Sequence, residues 1–237
     1  MRILFAALVT LTFVFIIFTV QADAQDSTTN LTVEDIRDMA RTSTVRAHQA
    51  VETRGTPYFN EEFSDGAVTF KNGQTTNVLP LRYNAYEGQV QFRDGNNIYA
   101  IESNTVEEFE LYTSDGIIRF TKGYDARRLS EDEFVAVLSE GDAKFMVKYS
   151  VNYHENVSGY GQATQVEEYV QSENFYVKIG DGNVNRIRSL NERRIIRSFP
   201  SHRDEIEEYA EENNIQFDNI QHVARLFNYY NSLVSEQ

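Results

Sequence analysis

From Gly55 onward the chain alternates apolar and polar residues in short runs, separated by Asn-Gly, Asp-Gly and Glu-Gly pairs. Side chains on a strand alternate faces, and such pairs suit the positive φ of tight hairpin loops, so the rhythm predicts antiparallel strands joined by short turns. The pairs are Asp65-Gly66, Asn72-Gly73, Glu87-Gly88, Asp94-Gly95, Asp115-Gly116, Glu140-Gly141 and Asp181-Gly182. Between them the pattern predicts strands over 67–71, 76–86, 89–93, 98–102, 106–112, 117–121, 134–139, 143–153, 165–170, 175–179 and 184–188. In the eighth, Phe145, Val147, Tyr149, Val151 and Tyr153 form one apolar face, while Lys144, Met146, Lys148, Ser150 and Asn152 form a mainly polar one.

After Ser189 the period becomes helical. A short helix over 191–199 is stopped by Pro200. Ser201 opens a second, with Asp204 in capping-box position. Asp218 with Gln221 opens a third, where Val223, Leu226, Phe227, Tyr230, Leu233 and Val234 make an apolar stripe. Near the other end, residues 31–52 read as helical, with Thr32 ahead of Val33-Glu34-Asp35 and a pattern that fades after Ala40. The sum is an α+β chain: a large antiparallel β-meander (curved sheet, half-barrel or sandwich) followed by two or three C-terminal helices. One β-rich domain over 55–237 is expected, with a helical tail from about 189, because so short a tail makes a poor core alone. Residues 25–54 form a polar, partly helical leader to it.

The first residues tell a different story. Arg2 is followed by an uncharged run from Ile3 to Val20 and then by Ala22-Asp23-Ala24. A basic residue, an apolar core and Ala-x-Ala predict a secretory signal over 1–24, cleaved after Ala24. The run is also long enough for a membrane span, so a retained anchor is the alternative. After cleavage no integral span is expected, and the location is periplasmic or secreted.

Composition narrows the chemistry. The chain of 237 residues has no Cys, which excludes a disulfide framework, a thiolate nucleophile, Cys-bound zinc and a lipidated N-terminal Cys. With 22 Lys+Arg against 36 Asp+Glu, the net charge is −14, so nucleic acid is not the expected partner. Charges on the polar strand faces, such as Lys144, Lys148, Glu107, Glu108 and Glu110, argue against a transmembrane β-barrel.

Three segments carry a resemblance: Gly55-Thr-Pro-Tyr-Phe-Asn-Glu-Glu-Phe63, Leu79-Pro-Leu-Arg-Tyr-Asn-Ala-Tyr86 and Phe227-Asn-Tyr-Tyr-Asn231. Together they resemble a group of exported proteins of Bacteroidota-like bacteria with G-x-P-Y, L-R-Y-N-x-Y and C-terminal Y-Y-N segments. The resemblance implies an envelope or secreted location and brings no catalytic residues.

Candidate chemistry is sparse. The nearest approach to a nucleophile elbow is Val157-Ser158-Gly159-Tyr160-Gly161 with His154 close by, a pattern more common in a plain Gly-rich loop. The four histidines, His48, His154, His202 and His222, lack metal-site spacing, with the latter two expected to face solvent. No cofactor and no metal is expected. Two binding candidates remain. Arg82, Asn84 and Tyr86 project from one strand face, either as a recognition surface or as a structural network in which an acid satisfies Arg82. Lys178–Arg203 holds seven bases, among them Arg186, Arg188, Arg193 and Arg194, against two acids, a net of +5. It is followed by Asp204–Glu212 with six acids and no base, so the stretch serves either as an anion-docking patch or as a partner to the protein's own acidic surface. The expected role is a non-catalytic binding or envelope-associated module whose partner is an envelope protein or polymer. A hydrolase of envelope polymers and a structural subunit of an envelope assembly are the alternatives.

Intact mass of the exported chain should begin at Gln25; Met1 retained in a membrane fraction would overturn the cleaved-signal reading.

Overall fold

The computed structural model describes residues 30–42, 52–157 and 165–235. The proposed signal segment 1–24, His48 and the residues Ser158-Gly159-Tyr160-Gly161 lie outside the described residues. No helix among the described residues is long and apolar enough to cross a membrane.

Twelve strands form one open sheet in an α+β fold. Along one edge run β1 (Arg41–Thr42), β6 (Asn97–Ala100), β5 (Gln89–Asp94), β4 (Leu79–Asn84) and β3 (Ser64–Phe70). The order continues through β7 (Val106–Thr113), β8 (Gly116–Thr121), β9 (Val135–Ser139), β10 (Ala143–Val157), β11 (Gln165–Ile179) and β12 (Asn185–Ile187). The expected meander is therefore two, joined where the chain leaves β6 and returns beside β3 to form β7. One pairing is parallel, between β2 (Glu52–Arg54) and β11.

The sheet curls strongly. Tyr83 on β4 lies 5.3 Å, ring to ring, from Phe120 on β8, three strand spacings away in the sheet order. On a flat sheet that separation would be about 14 Å. Phe92, Phe109, Phe120, Phe134 and Tyr83 fill the concave face, each at most 4% exposed. Helix α1 (Val33–Met39) closes part of this core with fully buried Ile36. Its capping box is formed as the sequence suggested, since the Asp35 amide donates to Thr32 Oγ1 and the Thr32 amide to Asp35 Oδ2. The helix is far shorter than 31–52, because Ala40 turns the backbone extended and Arg41–Thr42 pair with β6.

Farther along, the same inner face is roofed by α2 (Glu192–Ser198), α3 (Arg203–Glu212) and α4 (Ile220–Ser235), which bury Ile195, Ile206, Leu226 and Phe227 against Phe145 and Val147. Leu138 and Tyr149 touch both clusters, so the half-barrel and the helix layer share one continuous interior. The outer face of β9–β11 is also covered where Leu129, Val135, Val137, Met146 and Tyr176 meet, which is why Met146 is buried rather than part of a polar face.

Several local expectations change. Residues 165–179 are one strand, not two, paired with β10 at all fifteen positions. The polar run Gln171-Ser172-Glu173-Asn174 looked like a break, yet it sits on a projecting arm where side chains reach water. Gly66 is inside β3 rather than at a turn: a Cβ there would stand 2.1 Å from the Glu110 carbonyl oxygen. Ser201 does not cap α3. His202 holds that place with φ +57°, and its ring meets Glu205 at 3.2 Å instead of facing open solvent. At α4, Asn219 rather than Asp218 accepts the first amides, from Gln221 and His222, while His222 Nδ1 accepts from the Gln216 amide.

Asn231, last of the Y-Y-N segment, ties α4 to the β9–β10 turn. Its Oδ1 accepts from the Ala143 amide at 2.7 Å, and its Nδ2 donates to the carbonyls of Glu140 and Ala143, both at 2.8 Å. Gly141, at φ +132°, leaves room for this side chain, which a Cβ would meet at 2.7 Å. Replacing Asn231 with Ala should cost about 1–3 kcal/mol in urea unfolding, because the Ala143 amide loses its partner. The exposed neighbour Asn228→Ala should stay within about 0.5 kcal/mol.

Candidate functional site

The G-x-P-Y segment is a strap across the end of β4. Gly55, with φ +71°, passes so close to the Tyr169 carbonyl that a Cβ would lie 2.2 Å from its oxygen. The strap then extends β3's place in the sheet: the Phe59 amide donates to the Tyr83 carbonyl at 2.9 Å and the Tyr86 amide to Pro57 at 3.1 Å. Tyr58 pairs with Asn84, and the Gln171 side-chain amide donates to the Tyr58 carbonyl at 2.8 Å. The strap thus bridges β4 to the arm made by the far halves of β10 and β11.

Arg82 is the strap's clamp. Its guanidinium lies 3.6 Å from the centre of the Tyr58 ring and 4.4 Å from that of Phe63. It donates to the Glu61 carbonyl at 3.2 Å and to Gln91 Oε1 at 3.0 Å. Of the two alternatives drawn from the sequence, the network is formed, but among the described residues no carboxylate bonds to Arg82; rings and uncharged oxygens hold it, with the Glu62 charge acting from nearby. Burial lowers its pKa, though a guanidinium stays charged in any case. Asn84 is equally structural. Its Oδ1 accepts the amides of Tyr86 and Glu87 at 3.1 and 3.0 Å, and its Nδ2 donates to Glu87, which fixes the β4–β5 turn. Tyr86 alone of the three reaches out, 47% exposed, with its ring 5.6 Å from Tyr169 and 6.2 Å from Tyr153 on the arm.

The basic stretch falls on other elements. Arg186 on β12 donates twice to Asn174 Oδ1, at 2.8 and 3.2 Å, and Arg194 on α2 donates to Ser189 Oγ. Arg188 and Arg193 are exposed. Among the described residues no salt bridge joins any of these four to an acid, and none contacts Arg82, Asn84 or Tyr86. The two sets of candidates do not form one site. Of the other candidates, His154 is exposed on the arm across from Glu168. No group of three or more His, Cys, Asp or Glu among the described residues is placed to hold a metal.

What the curl and the strap create together is a pair of adjoining clefts against the arm. One, of about 390 Å³, is lined by Tyr58, Phe59, Tyr149, Gln171 and Glu173. The other, of about 430 Å³, is lined by Tyr86, Glu87, Asp132, Glu133, Lys148 and Asn152. Ala85, Tyr149, Ser150 and Val151 belong to both. In the second, Glu133 is already engaged, by Lys148 at 2.6 Å and by the Ser130 amide at 2.9 Å. In the first, Tyr149 stands directly across from Glu173. Burial, with the Glu173 charge beside it, pushes the Tyr149 hydroxyl up to about 12. Partial burial raises the Glu173 carboxyl above the ordinary carboxylate range. Farther along the arm, desolvation and Glu167 push Tyr153 up to about 12.

Sequence reasoning missed Tyr58, Tyr149, Gln171 and Glu173. Tyr149 read as core from its alternation, which its packing against both clusters bears out, but it also lines the cleft, and Glu173 lay in the run taken for a break. The signal available was the aromatic spacing Tyr149–Val151–Tyr153, whose last member stands beyond the helix layer.

Set against known proteins, the chain matches no family model, no curated protein and no solved structure.

Arg82→Ala should lower stability by about 1–3 kcal/mol, from the lost ring contacts and hydrogen bonds. Arg82→Lys should recover only part of it, since an ammonium lacks the planar fork. Urea unfolding of both variants checks this; an Arg82→Ala protein as stable as the parent would refute the clamp.

Proposed function

We propose that this protein is an exported, non-catalytic module that binds an envelope polymer along the inner face of its β10–β11 arm. The observation that carries the reading is the juxtaposition of aromatic rings and polar groups, one of them a carboxylate, along that face. Tyr149, Val151 and Tyr153 on β10 lie opposite Glu173, Gln171 and Tyr169 on β11. Tyr58 and Phe59 of the strap, with Tyr86 from the β4–β5 turn, stand against them. Ligand sites commonly combine apolar and aromatic walls with a few polar groups that set orientation. Export is expected from the apolar run and Ala22-Asp23-Ala24, and the resemblance to exported proteins of Bacteroidota-like bacteria agrees with it.

The supporting chemistry is that of recognition. Glycoside hydrolysis calls for two carboxyl groups flanking one bond. The first cleft offers Glu173 alone; of the three acids lining the second, Glu133 is held by Lys148 and the Ser130 amide and Glu87 by the Asn84 side chain, which leaves Asp132.

Co-sedimentation with insoluble envelope polymer tests the reading. The protein should pellet with the polymer, and Tyr153→Ala and Tyr86→Ala should each weaken binding severalfold without releasing soluble fragments in any sample. Steady release of fragments by the parent protein would make it a hydrolase instead. Failure to pellet would refute the binding role.

A further inference from the structure

The cleft beneath the strap holds one formal charge. Of the residues lining it, Tyr58, Phe59, Tyr149 and Gln171 are neutral, as are Ala85, Ser150, Val151 and Ser172, and only Glu173 is ionisable as an acid in the ordinary range. Among the described residues Glu173 has no salt bridge and no hydrogen bond to its carboxylate. One proton of the Gln171 side-chain amide is used on the Tyr58 carbonyl, and its Oε1, which accepts from no described residue, is left to face a ligand as an acceptor. The cleft therefore presents acceptors: a carboxylate, an amide oxygen and hydroxyls that can serve either way. A partner rich in donors, one of them cationic, matches it. An unpaired carboxylate lining a cleft gains from such a partner, because charge-assisted hydrogen bonds are roughly twice as strong as neutral ones.

The shape argues for a ring-bearing chain rather than a compact cation. From Tyr149 to Tyr153 the arm's inner face runs roughly 13 Å, and its far end is a cluster of three rings, Tyr86, Tyr153 and Tyr169. Rings at intervals along a polar strip offer flat apolar faces to successive sugar units, while the hydroxyls between them accept and donate. We infer that the arm recognises a glycan whose sugar units carry free protonated amines, with Glu173 as counter-ion to one amine and the tyrosines of the arm as platforms. This rests on the binding role proposed above and names its ligand class.

The test titrates the protein, by calorimetry, with soluble glucosamine oligomers and with glucose oligomers of the same length. The parent should bind the amine-bearing chains at least about tenfold more tightly. Glu173→Gln, at an exposed position without a salt bridge among the described residues, should fold normally and lose that preference. Circular dichroism and the unfolding midpoint verify the fold of the variant. Tyr153→Ala should weaken both chains alike. Equal affinity of the parent for the two oligomers would overturn the inference, and so would a preference that survives Glu173→Gln. If neither oligomer binds while the protein still pellets with envelope polymer, the ligand class is wrong and the binding role stands. If it neither binds nor pellets, both fall.

Discussion

The contact of Tyr83 with Phe120 sets the shape on which everything else depends. Tyr83 also packs 5.3 Å from Phe109 and 5.9 Å from Phe134, so one side chain from β4 sits in the middle of rings supplied by β7, β8 and the segment before β9. Aromatic side chains bury large areas, and a sheet this wide gains that burial by curling its concave face around them. The curl carries the β4–β5 turn toward the β10–β11 arm, and only then can the strap span the gap between them. A flatter sheet would have the same strands and the same turns but no cleft.

Two polar clamps hold the consequences of the curl in place. Arg82 fixes the strap from outside the sheet through Tyr58 and Phe63, and Asn231 fixes the helix layer through the β9–β10 turn. Each belongs to one of the short segments that drew attention in the sequence, and each acts on a piece of chain that hydrophobic burial alone would hold loosely. The strap has few buried side chains of its own, so its position follows from backbone bonds to β4 and from the cation over the Tyr58 ring. Arg82, which the sequence left open as either a contact residue or a structural one, thus shapes the cleft without lining it.

Much of the fold was legible because it obeys period rules. Alternation marked nearly every strand, Pro200 and the stripe on α4 marked the helices, and Thr32 with Asp35 marked the first cap. What escaped depended on contacts distant in sequence. Gly66 looks like a turn glycine until Glu110 is seen lying on it. The run Gln171–Asn174 looks like a loop until β10 is seen to pair with it throughout. The cleft was illegible for the same reason: Tyr58, Tyr149 and Glu173 come from three remote segments, and their meeting follows from the curl, which no local pattern encodes. The basic stretch was legible as charge but not as geometry, because β12 and α2 distribute its arginines over different elements.

That distribution bears on how a charged partner would approach. Arg193 and Arg197 are exposed on α2, and α3 beyond them carries acids on its first turn at Asp204 and Glu205. The arm's side chains, by contrast, include Glu155, Glu167, Glu168 and Glu173. In a chain at −14 the arm shares the prevailing sign, whereas α2 opposes it. Unlike signs on separate surfaces favour one orientation over another when a polymer of fixed charge is near, and the preference fades as salt screens it. A polycation would be drawn to the arm and away from α2, so the long-range field and the short-range acceptors of the cleft select the same face for the same ligand.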